Sequence, residues 1–123
     1  MQQSAATRPT ILVVDDEPIV REFACRTLTN ANFNVLQAEN GAAAISLLLT
    51  CLASVQLVLT DVRMPVMDGL RLAAAVRDLN GQIPVLFMSG YNSAGPIAKP
   101  YIAKPFRPSE LLEAVREIVG KPT

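Results

Sequence analysis

The stretch Thr10-Ile-Leu-Val-Val-Asp-Asp-Glu-Pro18 (TILVVDDEP) indicates the type of fold. Its first five residues, 10–14, form a β-branched apolar run that is typical of a buried strand. Acidic residues end this run, and Pro18 suits the first position of a helix. A strand that stops in polar residues and leads into a helix is the repeating unit of an α/β fold.

The same unit recurs along the chain. Further strands are predicted at 33–38, 55–60, 83–88 and 101–103, and helices at about 19–28, 42–52, from 69 onwards and at 108–119. The nearly continuous apolar run VQLVLT at 55–60 predicts a strand that is buried on both faces. Strands that alternate with helices over short connections predict a doubly wound α/β domain with a parallel sheet.

Composition excludes several classes of function. The chain has 123 residues, which suits one domain, and its 11 basic and 11 acidic residues give no net charge, which disfavours direct binding of nucleic acid. It has no histidine, so Ser-His and Cys-His catalysis and histidine-ligated zinc are excluded. The two cysteines match no metal-binding or redox spacing.

The chain ends and the apolar segments predict where the protein acts. Residues 1–9 are small and polar, unlike a signal peptide, and no apolar run reaches the roughly 18 residues of a membrane span. We therefore expect a flexible N-terminal tail at 1–9, no contact with a membrane, and a cytoplasmic protein.

Polar residues follow four of the five predicted strands. They are Asp15 and Asp16, Asp61, Ser89 with Gly90, and Lys104. A single Asp after a strand is most often a turn former or a helix cap. Paired acids and a lysine are not needed for capping, and the carboxyl ends of parallel strands share one edge of the sheet, where ligands bind. The pattern therefore predicts a polar site at that edge.

The residue types at this edge suggest a ligand. Clustered carboxylates raise one another's pKa unless a cation joins them, and donors that are all oxygen favour Mg²⁺. The Lys104 ammonium suits a phosphate oxygen, and Ser89 with the Gly90 backbone N–H could donate hydrogen bonds to another. The predicted site fits a phosphoryl group.

These residues and their neighbours resemble the receiver domain of two-component response regulators. The resemblance covers roughly residues 10–119 and is carried by ordered motifs at the strand ends: Asp15-Asp16, Asp61 with Met64-Pro65 and Asp68-Gly69, Ser89-Gly90, and Lys104-Pro105-Phe106. It implies a flavodoxin-like sheet of five parallel strands in the order 2-1-3-4-5. A receiver domain at 10–120 would then lie between tails at 1–9 and 121–123.

The resemblance also implies a metal site and a phosphoacceptor. Asp61 would accept the phosphoryl group. Asp16 and Asp61 would ligate Mg²⁺ together with the backbone carbonyl of Arg63, and Asp15 would assist directly or through water.

Three further residues take roles by the same resemblance. Lys104 would pair with a phosphoryl oxygen, and Ser89 would supply the hydroxyl that moves towards the phosphate. Tyr101 would be the aromatic residue that turns inward on activation, although packing at the strand edge is an alternative interpretation of this tyrosine.

The implied function is that of a switch in a phosphorelay. A sensor histidine kinase or a histidine phosphotransfer protein would donate the phosphoryl group, and the chain would assist its own phosphorylation and dephosphorylation without acting as a separate enzyme. The string Met88-Ser89-Gly90-Tyr91 resembles receivers of hybrid histidine kinases, so either an excised module or a stand-alone regulator fits.

Two other functions are weighed against this one. A Mg²⁺-dependent aspartyl-phosphate phosphatase or phosphotransferase that acts on a small substrate usually has a second acid two residues after the nucleophile, where this chain has Arg63. A flavodoxin-like nucleotide binder would have a Gly- or Ser/Thr-rich loop after the first strand, where this chain has acids.

The sequence departs from the receiver pattern between the fourth and fifth strands. Only 14 residues separate Ser89 from Lys104, and several are Gly or Pro. This predicts that the fourth helix of the family is shortened or absent. Since receivers commonly dimerise through that helix, we expect a monomer.

Overall fold

A computed structural model describes residues 8–90 and 100–120 of the chain. Within these residues the elements follow one another as β1 (Thr10–Val14), α1 (Pro18–Asn30), β2 (Asn34–Ala38), α2 (Gly41–Cys51), β3 (Val55–Asp61), α3 (Gly69–Leu79), β4 (Val85–Ser89), β5 (Tyr101–Ala103) and α4 (Pro108–Val119). The alternation of strands and helices agrees with the pattern predicted from the apolar runs.

The strands form one sheet in the order β2-β1-β3-β4-β5, and every neighbouring pair is parallel. The predicted doubly wound fold and its strand order are confirmed. β4 begins at Val85, two residues later than predicted. The strand starts after Pro84 because proline has no backbone N–H to donate to the ladder. The Pro84 carbonyl still accepts a hydrogen bond from the Val58 N–H at 3.1 Å.

Alternating side chains of the central strands build a core on each face of the sheet. In β1, Ile11 and Val13 pack with residues of α1 and α4, whereas Leu12 and Val14 pack with residues of α2 and α3. All four side chains are fully buried. Because β1 is buried on both faces, neither side of the strand carries polar residues, which explains its unbroken apolar sequence.

One irregularity interrupts β3. Thr10 pairs with Val55 but Ile11 pairs with Leu57, so Gln56 is an extra residue in the ladder and is exposed. Val55 and Leu57 consequently contribute to the cores on opposite faces. Beyond this point the predicted burial of β3 is confirmed.

The helices α2 and α3 begin with side-chain caps. The Asn40 carboxamide oxygen accepts the Ala43 N–H at 2.8 Å, and the Asp68 carboxylate accepts the Arg71 N–H at 2.8 Å. The second contact confirms Asp68 as the predicted cap of α3. These two βα connections lie at the carboxyl edge of the sheet, where the candidate polar residues also lie.

Some expectations concern parts of the chain outside the described residues. The predicted shortened helix between β4 and β5 falls on residues 91–99, and most of the predicted tails fall on 1–7 and 121–123. Among the helices of residues 8–90 and 100–120, none is long and apolar enough to cross a membrane.

Gly69, the first residue of α3, lies directly against the end of β3. A Cβ atom built at this position would lie 2.2 Å from the Asp61 carbonyl oxygen and 3.0 Å from the Val62 Cα atom. Its N–H donates to the Val62 carbonyl at 2.8 Å. Because the crowding atoms belong to the backbone, a side chain here could be accommodated only by moving α3 away from β3.

We therefore predict that Gly69→Ala lowers the free energy of unfolding by about 1–3 kcal/mol, as overpacking does in well-packed interiors. Gly81→Ala is the matched control, since the nearest atom to its added Cβ, the Arg77 carbonyl oxygen, lies at 3.8 Å. Urea unfolding followed by circular dichroism measures both variants. Equal stability of the two variants would contradict the close approach of α3 to β3.

Candidate functional site: an acidic cluster joined by a lysine

Three carboxylates meet at the carboxyl edge of the sheet. Asp15 directly follows β1, and its N–H donates to the Ala38 carbonyl at 3.2 Å, which extends the pairing with β2 by one bond. Asp61 is the last residue of β3. The side chains of Asp15 and Asp61 are 0% and 7% exposed, whereas Asp16 is exposed. One carboxylate oxygen from each of the three residues lies within 4.8 Å of the others.

Lys104 joins the two buried carboxylates. Its Nζ lies 3.0 Å from Asp15 Oδ2 and 3.1 Å from Asp61 Oδ2. Its backbone N–H donates to the Ser89 carbonyl at 2.8 Å, so the pairing of β4 with β5 continues to Lys104 and fixes where its side chain starts. The prediction that topology brings Asp15, Asp16, Asp61 and Lys104 together agrees with this geometry.

Burial and charge act against each other in this cluster. Burial raises the pKa of Asp15 and of Asp61 above their ordinary values, although Lys104 opposes both shifts. Burial lowers the pKa of Lys104, but the hydrogen bond and charge of Asp15, with those of Asp61, outweigh burial and raise that pKa above its ordinary value. The lysine is therefore held in its charged form, whereas burial still makes the charged form of the two carboxylates less favourable than it would be in water.

The β1–α1 loop and the first turns of α1 contain two residues whose part in the site was not predicted. The Glu17 N–H donates to Asp15 Oδ1 at 2.9 Å, and its carboxylate lies 3.5 Å from Lys104 Nζ. The Arg21 guanidinium donates to the Asp15 carbonyl at 2.7 Å and to Gln37 Oε1 at 3.1 Å. A third consecutive acid and an arginine four residues later on the same helical face were the available signals.

The backbone around Asp61 is held on both sides. The buried Thr60 hydroxyl donates to the Asp61 carbonyl at 3.0 Å. The Arg63 backbone N–H forms a hydrogen bond with the Asp61 carboxylate, which opposes the rise of its pKa. This contact concerns the N–H of Arg63, so the ligand role of its carbonyl stays a prediction.

The remaining two candidates lie on β4 and β5. Ser89 is buried at the end of β4, and its hydroxyl donates to the Gly90 carbonyl at 3.5 Å. Met88, the residue before it, pairs with Asp61 in the ladder. Tyr101 pairs with Phe87 at the start of β5 and is 50% exposed. The structure therefore places Ser89 at the edge that carries the acids and Tyr101 two residues further from that edge.

Comparison with known proteins identifies the architecture of this edge. Residues 11–116 match the family described as the response regulator receiver domain. The chain belongs to this family. The match includes every residue of the acidic cluster and Lys104, so the predicted resemblance is confirmed.

Individual relatives support the same assignment. The chain is 32% identical over 92% of its length to the transcriptional regulatory protein AruR of Pseudomonas aeruginosa, and 31% identical over 91% to the sensor kinase CckA of Brucella abortus. A crystal structure of a two-component transcriptional regulator from Clostridium phytofermentans superimposes with a TM-score of 0.80 at 35% identity, covering 91% of this chain and 93% of the other.

The similarity covers only part of these curated relatives. The chain spans 50% of AruR and 13% of the sensor kinase CckA. What it shares with both proteins is the receiver domain.

The raised pKa of Asp61 leads to a prediction about stability. Burial makes the protonated form of the Asp61 carboxyl more favourable in the folded state than in the unfolded state. Below the unfolded pKa near 3.8 the carboxyl is protonated in both states, so its charge costs no stability. The cost develops as the pH rises through the folded pKa. We predict that Asp61→Asn raises the urea midpoint of the metal-free protein at pH 7, and that this gain disappears as the pH falls towards 4.

Asp78→Asn is the control, because Asp78 is an exposed carboxylate on α3 and its replacement should change stability by no more than about 0.5 kcal/mol. A lower midpoint for Asp61→Asn at pH 7 in the presence of a chelator would mean that the ion pair with Lys104 outweighs the cost of burial.

Proposed function

We propose that this receiver domain accepts a phosphoryl group on Asp61 within a two-component phosphorelay. The observation that carries the proposal is the position of the Lys104 ammonium, 3.0 Å from Asp15 and 3.1 Å from Asp61, with Asp16 beside them. A nearly buried carboxylate, a fixed cation and further acids provide a nucleophile and a place for the charge of a phosphoryl group.

The donor set fits a hard divalent cation. Asp15, Asp16 and Asp61 offer only oxygen atoms, within 4.8 Å of one another, and burial raises the pKa of Asp15 and of Asp61 above their ordinary values. Mg²⁺ binds through a few carboxylates and keeps several waters, which suits a cluster in which Asp16 is exposed to solvent. The Arg63 carbonyl would complete the protein ligands. When bound, Mg²⁺ would offset the negative charge of the acids and of the transferred group.

Phosphoryl transfer would use the residues of the chain as follows. An Asp61 carboxylate oxygen forms a bond to phosphorus while the bond from phosphorus to the donor's imidazole nitrogen breaks, and the imidazole leaves with the electron pair and takes up a proton. Lys104 would hydrogen-bond to an oxygen of the transferred group. Since its Nζ already lies 3.1 Å from Asp61, little movement is needed.

Phosphorylation would then change the surface of the domain. Ser89 lies buried at the same edge, and its hydroxyl would exchange the 3.5 Å contact with the Gly90 carbonyl for a phosphoryl oxygen. Tyr101, half exposed on the edge strand β5, would turn inward in response. Such a rearrangement makes the domain a switch, whose output is altered binding of a partner.

The proposal also covers the protein that donates the phosphoryl group and the compartment in which the transfer takes place. The donor would be a sensor histidine kinase or a histidine phosphotransfer protein, acting in the cytoplasm without direct contact with nucleic acid. Likeness to the sensor kinase CckA and to the regulator AruR supports a place in such a pathway. The phosphatase alternative is not favoured, because the position two residues after Asp61 is Arg63 and the chain matches the receiver family.

Phosphorylation at Asp61 is the first prediction of this proposal. Incubation with acetyl phosphate and Mg²⁺ should add one phosphoryl group to the intact mass, and Asp61→Asn should abolish the addition because the nucleophile is lost. Asp68→Asn is the control, since the Asp68 carboxylate caps α3 by accepting the Arg71 N–H. Labelling of Asp61→Asn, or undiminished labelling in excess chelator, would overturn the proposal.

A second prediction separates metal binding from charge stabilisation. Asp16→Asn removes a ligand and should weaken Mg²⁺ binding about tenfold or more, as loss of site residues commonly does. Lys104→Ala removes a cation that faces the phosphoryl group, so Mg²⁺ affinity should be retained while the rate of phosphorylation falls. Calorimetric titration measures affinity in a chain that lacks tryptophan. Equal losses of affinity in both variants would contradict this division of roles.

A further inference from the structure

The guanidinium of Arg21 donates to two neutral acceptors, although a glutamate lies one helical turn before it. Its Nη1 donates to the Asp15 carbonyl at 2.7 Å, and its Nε donates to Gln37 Oε1 at 3.1 Å. Glu17 lies four residues before Arg21, a spacing at which glutamate and arginine often pair. The Glu17 carboxylate lies 3.5 Å from Lys104 Nζ instead. Arg21 therefore holds the backbone at the end of β1.

These contacts hold the Asp15 backbone on both sides of the residue. The Asp15 N–H donates to the Ala38 carbonyl at 3.2 Å, and the Asp15 carbonyl accepts the bond from Arg21. Gln37, which accepts from Nε of the same guanidinium, directly precedes Ala38 on β2. The guanidinium is planar and its donors point in fixed directions, so one acceptor limits where the other can lie. α1 and β2 together therefore orient the Asp15 carbonyl.

The orientation of the Asp15 carbonyl affects the residue that follows it. This carbonyl and the Asp16 N–H belong to one planar peptide group, so fixing the carbonyl also fixes how the chain enters Asp16. Asp16 is exposed, and one of its carboxylate oxygens lies within 4.8 Å of carboxylate oxygens of Asp15 and Asp61. Because packing does not enclose an exposed carboxylate, its reach towards the cluster depends on where its backbone places it.

We infer that Arg21 is a positioning residue for the acidic cluster. Braced by β2, it orients the peptide between Asp15 and Asp16 so that the Asp16 carboxylate can share a divalent cation with Asp61. The positive charge of Arg21 would by itself oppose the binding of another cation nearby, so its contribution is geometric. This inference rests on the proposed function and adds a residue that acts on the metal site through one of its ligands.

Arg21→Met tests this role, because methionine keeps much of the apolar length of the side chain but has no hydrogen-bond donor. Calorimetric titration of the full chain with Mg²⁺ should show about tenfold weaker binding, as is common when a residue that orients a metal ligand is lost. Loss of the positive charge alone would strengthen binding, because a nearby cation is removed. The direction of the change therefore separates positioning from charge.

Phosphorylation by acetyl phosphate gives a second measurement. The Mg²⁺ concentration for half-maximal rate should rise in Arg21→Met by the same factor as the dissociation constant, while the rate at saturating Mg²⁺ stays near that of the wild type. A merely structural role would lower the thermal midpoint without changing this concentration. Arg21→Lys can still donate one hydrogen bond to the Asp15 carbonyl and should recover part of the affinity.

Three further variants locate the effect. Gln37→Ala removes the brace at an exposed position and should weaken Mg²⁺ binding about threefold, as for loss of one hydrogen bond. Adding Arg21→Met to Asp16→Asn should cause little further loss, because the ligand through which Arg21 acts is already gone. Arg26→Met is the matched control and should leave Mg²⁺ affinity unchanged, since Arg26 pairs with Glu22 on the exposed face of α1.

The results distinguish two kinds of failure. A wild-type chain that neither binds Mg²⁺ nor is labelled by acetyl phosphate would refute the proposed function, and this inference with it. A wild-type chain that binds Mg²⁺, together with equal or tighter binding by Arg21→Met, would refute the positioning role alone. If circular dichroism shows that Arg21→Met does not fold, equal binding by Gln37→Ala would refute that role, and weaker binding would support it.

Discussion

The ammonium group of Lys104 is the interaction on which the arrangement of this molecule depends. It lies about equally far from Asp15 and Asp61, carboxylates that end different strands and are almost fully buried. Two such charges would repel each other at the edge of the sheet without a cation between them. Without the lysine and without a bound cation, two buried carboxylates would face each other with no compensating charge, which is unfavourable. The lysine thus makes the acidic cluster compatible with a folded domain.

Backbone contacts determine where these three side chains begin. Asp15 and Lys104 are each attached by one ladder bond beyond their strands, to Ala38 and Ser89 respectively. Gly69 lies against the Asp61 carbonyl, which sets the end of β3 against the start of α3. The parallel sheet and the first residues of the helices that follow its strands therefore position the site. Its side chains begin close to one another and meet over short distances. A site built on rigid elements can hold reacting groups close to their productive geometry.

The sequence predicted the strands and the strand-end residues because apolar runs and turn chemistry are local signals. Asp15, Asp61 and Lys104 could be grouped from the sequence alone because parallel strands place their carboxyl ends at one edge. The sequence did not predict the contact of Arg21 with the Asp15 carbonyl, or the close approach of Gly69 to β3. Both contacts depend on how a helix packs against the end of a strand. The spacing of Glu17 and Arg21 indicated a shared helical face but did not specify that packing. The left-handed backbone of Val66, with a φ of 71°, was also missed, because valine is a β-branched residue that normally signals a strand.

The most direct test of this account is to locate the phosphoryl group on the protein. An acyl phosphate on aspartate can be reduced by borohydride, which converts that aspartate to homoserine and leaves unmodified aspartates unchanged. After labelling with acetyl phosphate and Mg²⁺, reduction and peptide mass spectrometry should find homoserine at position 61, with Asp15 and Asp16 intact. Homoserine at position 15 or 16, or phosphate retained on a serine or threonine, would contradict the role of Asp61 as phosphoacceptor beside Lys104.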